Sequence, residues 1–184
     1  MNNPKIAVIG GGTGSYTVLQ GLKGLTEHVT AIVSVADDGG SSGRLRDEFG
    51  HLPPGDLRKC LLALSPSGDS EDILRRLFDY RFDRGNGLTG HNFGNLLLTA
   101  LTEITGSSVT AIEEVSKLLN IKGAVLPVTT QDTHLMAVLE DGTVVQGETN
   151  VDMRTIKPDI SIDRIYLEPP VTAYEPTLSA LKAA

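Results

Sequence analysis

Four short segments of the chain carry the groups that can do chemistry. The first is Gly10-Gly11-Gly12-Thr13-Gly14-Ser15, set between an apolar run and a helical pattern. Glycines let backbone N–H groups approach a phosphate, and a helix N-terminus adds partial positive charge. Against G-x-G-x-x-G, Gly10 and Gly12 fit while the third position is Ser15; the Gly-Lys-Ser/Thr ending of a P-loop is missing. The plain alternative is a tight strand–helix turn with no ligand. The second segment runs from Ala36 to Arg46. Asp37 stands where a dinucleotide-binding fold places its ribose acid. Asp37 and Asp38 suit a sugar diol or a divalent cation, while Ser41, Ser42 and Arg44 can close around an anion. A solvated loop, with Asp and Gly as turn formers, is the competing reading.

The third segment is Pro53-Pro54-Gly55-Asp56-Leu57-Arg58. Its proline and Asp56 satisfy helix-start rules unaided, which competes evenly with ligand binding by Gly55, Asp56 and Arg58; Arg58, projecting from the first turn beside the cleft, is the better functional candidate. The fourth is Gly90-His91-Asn92-Phe93-Gly94-Asn95. Gly90 and Gly94 permit close approach, Asn92 can cap a helix or bond a ligand, and His91 can donate to one. Cys60 sits on an apolar helical stripe and reads as a small core residue. His28, His51 and His134 share no metal-ligand spacing.

These segments need elements to hold them. Lys5–Ile9 and Thr30–Val35 read as buried parallel strands, with Val18, Leu19, Leu22 and Leu25 at helical spacing between them: a βαβ unit. Residues 37–56 carry no apolar period and read as a long loop. Helical stripes follow at Leu57, Cys60, Leu61 and Leu64, then at Ile73, Leu74, Leu77 and Phe78 with Ser70 as cap and Glu71 and Asp72 in the first turn. Further stripes run from Phe93 to Ile104 and from Ile112 to Leu119, with Gly106 and Gly123 as stops. Beyond residue 124 the period becomes two. Ala124–Thr129, Leu135–Glu140, Thr143–Thr149 and Arg164–Leu167 read as strands, and Asp141-Gly142 as a type I′ hairpin turn.

Composition sets the limits. The chain has 184 residues and a net charge of −7, which excludes the basic footprint of a nucleic-acid binder. No apolar run is long enough for a spanning helix, and no signal peptide is evident. One cysteine makes no internal disulfide, so a cytoplasmic location is expected. Of 20 glycines, 11 fall in residues 1–60, which points to backbone brought close to a ligand.

Taken in order, Val8–Ser15, Val35–Arg46, Pro53–Asp56, Gly90–Asn95 and Ala100–Gly106 resemble the bacterial gluconeogenesis factor (YvcK-like) family, which belongs with the 2-phospho-L-lactate transferases. The likeness continues through Leu126-Pro127, the Glu140-Asp141-Gly142 hairpin and Leu167–Pro170. It implies an α/β fold, a three-layer Rossmann-like parallel sheet with a small hairpin-containing subregion, and a nucleotide-type ligand. For gluconeogenesis factors it implies a UDP-N-acetylglucosamine-binding regulator without catalytic residues. Such a regulator links gluconeogenic carbon supply to cell-wall precursor synthesis and cell shape, with glucosamine-6-phosphate synthase as partner. The transferase branch implies joining a phospholactyl group to a deazaflavin, with Mg held by Asp37 and Asp38. A NAD-binding module is the third reading. The Ala36–Gly43 run resembles the regulator branch. Carried over, the glycine loop, Asp37, Asp38, Ser41, Ser42 and Arg44 are expected around the ligand. Family members are longer, so the expectation is an N-terminal portion. Residues 1–123 would form the core, 124–170 a β-rich extension, and 171–184 the start of a helix leading onward. Its incomplete sheet would lower stability or favour a homo-oligomer.

Overall fold

A computed structural model describes residues 3–66, 72–153 and 156–184. The first half builds a parallel sheet: β1 (Ile6–Gly10), α1 (Thr13–Leu22), β2 (Val29–Val33), then α2 (Gly40–Phe49), α3 (Pro54–Leu64), α4 (Asp72–Asp79), α5 (Phe93–Thr105), α6 (Ser108–Leu118) and β3 (Ala124–Pro127). The sheet order is β1-β2-β3, all parallel, with Ile9 opposite Ile32 and Ile32 opposite Leu126. Val29, Ala31, Ile32 and Val33 are almost fully buried, as a β-branched run in a central parallel strand must be. One core joins Val29, Ala31 and Val33 to Leu19 of α1, Cys60, Leu61 and Leu64 of α3, Leu98 of α5, and Ile112 and Val115 of α6.

The second half is a small antiparallel sheet, ordered β5-β4-β6, from β4 (His134–Leu139), β5 (Val144–Gln146) and β6 (Ile162–Glu168). Its own core is Ala137, Leu139 and Val145. Helix α7 (Glu148–Met153) leaves β5, and α8 (Glu175–Ala183) returns to the parallel sheet, where Thr177 Oγ1 donates to the Pro127 carbonyl at 2.8 Å. Because β3 completes the parallel sheet, the β-rich extension starts in space at β4.

Several expectations need correcting. Residues 37–56 are no continuous loop: α2 occupies Gly40–Phe49. Its Gly-Ser-Ser-Gly start has low helix propensity, and its inward face mixes Ser41, Ser42 and Arg46 with Leu45, so no apolar period shows. Gly50, at φ 71°, caps it by donating to the Arg46 carbonyl at 2.8 Å. The β4–β5 turn is not type I′. Leu139 N bonds Thr143 O, Gly142 N bonds Leu139 O, and of the central residues only Gly142 has positive φ. This is a three-residue loop, a type I turn closed by a left-handed glycine. The strand expected over Thr143–Thr149 stops at Gln146, because Gly147 at φ 93° turns the chain into α7. Val18, Leu25, Ile73, Leu77, Ile104 and Leu118, expected on apolar stripes, are exposed. The capping expectation at Ser70 and Glu71 lies outside the described residues.

Gly43 of α2 packs against the β2–α2 turn so closely that a Cβ there would overlap the Asp38 carbonyl. Alanine in a helix ordinarily gains up to about 1 kcal/mol over glycine. Here the overlapping atom is backbone and no rotamer relieves it, so overpacking at about 1–3 kcal/mol prevails. Gly43→Ala should therefore lower the thermal midpoint in circular dichroism; an unchanged or raised midpoint would contradict this packing.

Candidate functional site at the glycine turn

The carboxyl ends of β1 and β2 open on a cleft of about 540 Å³, lined by Gly10–Ser15, Val8, Ile9, Val18, Asp37, Asp56, Lys59 and Glu148. A slightly larger groove of about 580 Å³ lies elsewhere, between His51, Glu103, Asp132 and Tyr174, and borders none of the four motifs. The glycine turn is glycine for a visible reason. A Cβ on Gly10 would come within 2.7 Å of Ser15 Oγ, and one on Gly11 within 2.8 Å of Asp56 Oδ2. One on Gly12 would overlap Asp56 Oδ1. Gly12 is the N-cap of α1 and supplies no side-chain cap, and its N–H faces the Asp56 carboxylate.

The cleft is mostly acidic. Asp37 Oδ1 accepts from Gly39 N at 3.0 Å, which fixes the β2–α2 turn. Burial pushes the Asp56 carboxyl above its ordinary value, and the neighbouring Asp37 pushes it further. Lys59 and the Gly12 backbone N–H oppose that rise. Glu148 is raised for the same main reason, burial, followed by the charges of Asp37, Asp56 and Asp38. Lys59 Nζ lies 3.1 Å from Thr13 Oγ1 and 3.5 Å from Asp56 Oδ1.

Asp37 and Asp38 part company. Asp38 Oδ1 accepts from Thr149 N at 2.8 Å and from Thr149 Oγ1 at 2.6 Å, and Gly147 leaves room for its other oxygen. It thereby caps α7 from across the molecule and brings Glu148 to the cleft. Sequence reasoning missed Glu148, since its segment read as strand, and missed Lys59, although one helical turn from Asp56 was a usable signal.

The remaining motif residues gather behind the cleft. Ser41, Ser42, Arg58, His91, Asn92 and Asn95 are buried where α2, α3 and α5 meet. Asn92 caps α5 by accepting from Asn95 N at 3.1 Å. Ser41 Oγ accepts from Asn92 N at 3.3 Å and lies 3.1 Å from His91 Nδ1. Burial holds His91 below its ordinary pKa, and the Arg44 cation adds to this. Asn95 Nδ2 reaches Ser42 Oγ at 3.5 Å, and Gly55 makes room for Ser42 Oγ and Asp37 Oδ2. Arg58 does not project beside the cleft as expected: it is buried and pairs with Asp79. Arg44 is exposed, and its guanidinium donates to the Thr89 carbonyl at 3.3 Å. Cys60 is fully buried, its thiol pushed up to about 12 chiefly by burial, as suits a core residue.

Comparison with known proteins bears on this arrangement. The family model of the 2-phospho-L-lactate transferase CofD matches residues 6–184. The gluconeogenesis factor of Bacillus subtilis is 50% identical over 168 residues, which cover 90% of this chain and 50% of that protein. That of Halalkalibacterium halodurans is 48% identical over 169 residues, covering 92% of this chain and 50% of that protein. A Bacillus halodurans protein of known crystal structure superposes with a TM-score of 0.90 at 44% identity, covering all of this chain and 57% of that one. The chain thus spans about half the length of the curated relatives it matches. No helix among the described residues is long and apolar enough to cross a membrane.

The raised carboxyl of Glu148 has a consequence with a definite sign. A carboxylate whose folded pKa is raised stabilises the fold below its unfolded value and loses that contribution as pH rises through the folded value. Glu148→Gln should therefore raise the thermal midpoint at pH 7. The gain should fade as pH falls toward about 4, near the unfolded carboxylate value. A variant destabilised at every pH would mean that the charge makes a net favourable contact.

Proposed function

The chain belongs to the 2-phospho-L-lactate transferase CofD family, and from that premise we propose that its glycine-turn cleft binds a nucleotide sugar of the UDP-N-acetylglucosamine type. The observation carrying this reading is the cleft itself, roomy enough for such a ligand at about 540 Å³ and walled by the glycine turn at the N-terminus of α1. The Gly11–Ser15 backbone, Thr13 Oγ1 and Lys59 Nζ would meet the phosphates. Asp37 would accept sugar hydroxyls, while Ser41, Ser42, His91, Asn92 and Asn95 would hold the loops in place from behind. In this reading the protein is a cytoplasmic regulator linking gluconeogenic carbon supply to cell-wall precursor synthesis and cell shape. It would act on a partner such as glucosamine-6-phosphate synthase rather than by chemistry of its own. The shared name of the relatives, gluconeogenesis factor, is in keeping with this.

The transferase reading asks Asp37 and Asp38 to share a magnesium ion, and the side chains do not fit that request. Asp38 is committed to Thr149, and among the described residues no three His, Cys, Asp or Glu side chains form a metal-binding group. We derive no step through a metal. The test is calorimetric titration of UDP-N-acetylglucosamine into this chain and into a full-length gluconeogenesis factor, with and without magnesium. Micromolar, metal-indifferent binding, about −8 kcal/mol, is expected, without competition by NAD. A folded full-length protein that ignores the ligand would sink the proposal. Magnesium-dependent binding abolished in Asp37→Asn would favour the transferase instead.

A further inference from the structure

The seat where the glycine turn should receive an anion is already taken. The Asp56 carboxylate, borne by α3, lies flat across two glycines of another element: a Cβ on Gly11 would come within 2.8 Å of Oδ2, and one on Gly12 would overlap Oδ1. The Gly12 N–H favours the charged form of this carboxylate, and α1 has no side-chain cap of its own. Asp56 therefore serves α1 as an anion from outside. Lys59, the cation a bound phosphate would seek, stands 3.5 Å from Asp56 Oδ1. Both attractions of the turn for a phosphate, amide and cation, are directed at a protein carboxylate.

We propose that Asp56 is the specificity-determining residue of this cleft: it holds the anion seat over Gly11 and Gly12 against small free anions and yields it only to a larger phosphate ester that brings further contacts. The proposal rests on the nucleotide-sugar reading above and says how the site would select such a ligand. A free phosphate or diphosphate entering the turn displaces Asp56 and gains only what Asp56 loses. It also meets the other acids that face Asp56: Asp37 from the β2–α2 turn and Glu148 from α7. Cys60, on the same helix, adds no charge, since its thiol stays protonated. One lysine opposes three carboxylates. A nucleotide sugar meets the same repulsion but adds base and sugar contacts along a cleft walled by Val8, Ile9 and Val18. Discrimination then comes from a repulsive element built against the wrong ligand.

Charge removal gives a test whose sign is informative. Inorganic diphosphate and UDP-N-acetylglucosamine are titrated into the wild-type chain, Asp56→Asn and Asp56→Ser, with thermal melts confirming that each variant is folded. Asp56→Asn keeps the shape of the seat and Asp56→Ser empties it, so the second serves if the first is misfolded. Both should bind diphosphate at least tenfold more tightly than wild type, and the preference for the sugar nucleotide over diphosphate should shrink by at least tenfold. Diphosphate binding that is unchanged, weaker or absent in both variants overturns the proposal, even if the sugar nucleotide still binds. A tenfold gain for diphosphate in protein that ignores UDP-N-acetylglucosamine upholds the gate and removes the sugar-nucleotide reading instead.

Discussion

Around the cleft, aspartates are packed against glycines, and that single constraint ties the molecule together. Asp56 lies on Gly11 and Gly12, Asp37 against Gly39 and Gly55, and Asp38 against Gly147, while the Asp38 backbone abuts Gly43. A carboxylate can come this close to backbone only where no Cβ intervenes. Three of these contacts join elements far apart in sequence: the β1–α1 turn to α3, the β2–α2 turn to α3, and that turn to the β5–α7 corner; the contacts with Gly39 and Gly43 fix the β2–α2 turn locally. In the first third, Gly11, Gly12, Gly39 and Gly55 make room for carboxylates in this way, and these acids and glycines form one design.

The parts of this design that obey a period were legible in the sequence. The β1–α1–β2 unit, the α3, α5 and α6 stripes and the strand β6 follow from apolar spacing, and Asn92 declares itself as a cap. Helix α2 was hidden because its buried face is polar: Ser41 and Ser42 fill positions that an apolar residue would normally mark. The β4–β5 turn was misread because Asp-Gly fits two loop lengths, and only the pairing of Leu139 with Thr143 decides between them. Arg58 misled for a related reason. Its place in the first turn of a helix suggests a cleft, yet the rotation of α3 that brings Asp56 to the glycines turns Arg58 inward toward Asp79.

Behind the cleft, the junction of α2, α3 and α5 is an interior built from hydroxyls, amides and guanidinium groups. Gly94 allows the Phe78 carbonyl and the Arg58 side chain to close in on α5. Not every polar atom there is satisfied: Arg46 Nε and Nη1, Arg58 Nε and Asn95 Oδ1 are buried without a hydrogen-bond partner. Each such atom costs about 1–3 kcal/mol, a burden that an apolar junction would avoid. What the polar junction provides is direction. Asn92 and Asn95, Ser41 and His91 fix the start of α5 against the start of α2, and so fix the turn that carries Asp37.

The antiparallel unit completes the site from a distance of 111 residues, the separation between Asp38 and Thr149. Its own core is small, three buried residues, so its placement over the cleft depends on specific bonds more than on apolar area. Two of those bonds end on one oxygen of Asp38. Glu148 is delivered to the cleft by the same corner, adding charge beside Asp37 and Asp56, where charge is already disfavoured. Ile9 and Val18, both exposed, line the same cleft. The cleft therefore combines hydrogen-bond acceptors with bare apolar surface. A ligand satisfying both must carry hydroxyl or amide donors together with a face of little charge. A nucleoside attached to a sugar has that division of character, and a simple anion does not.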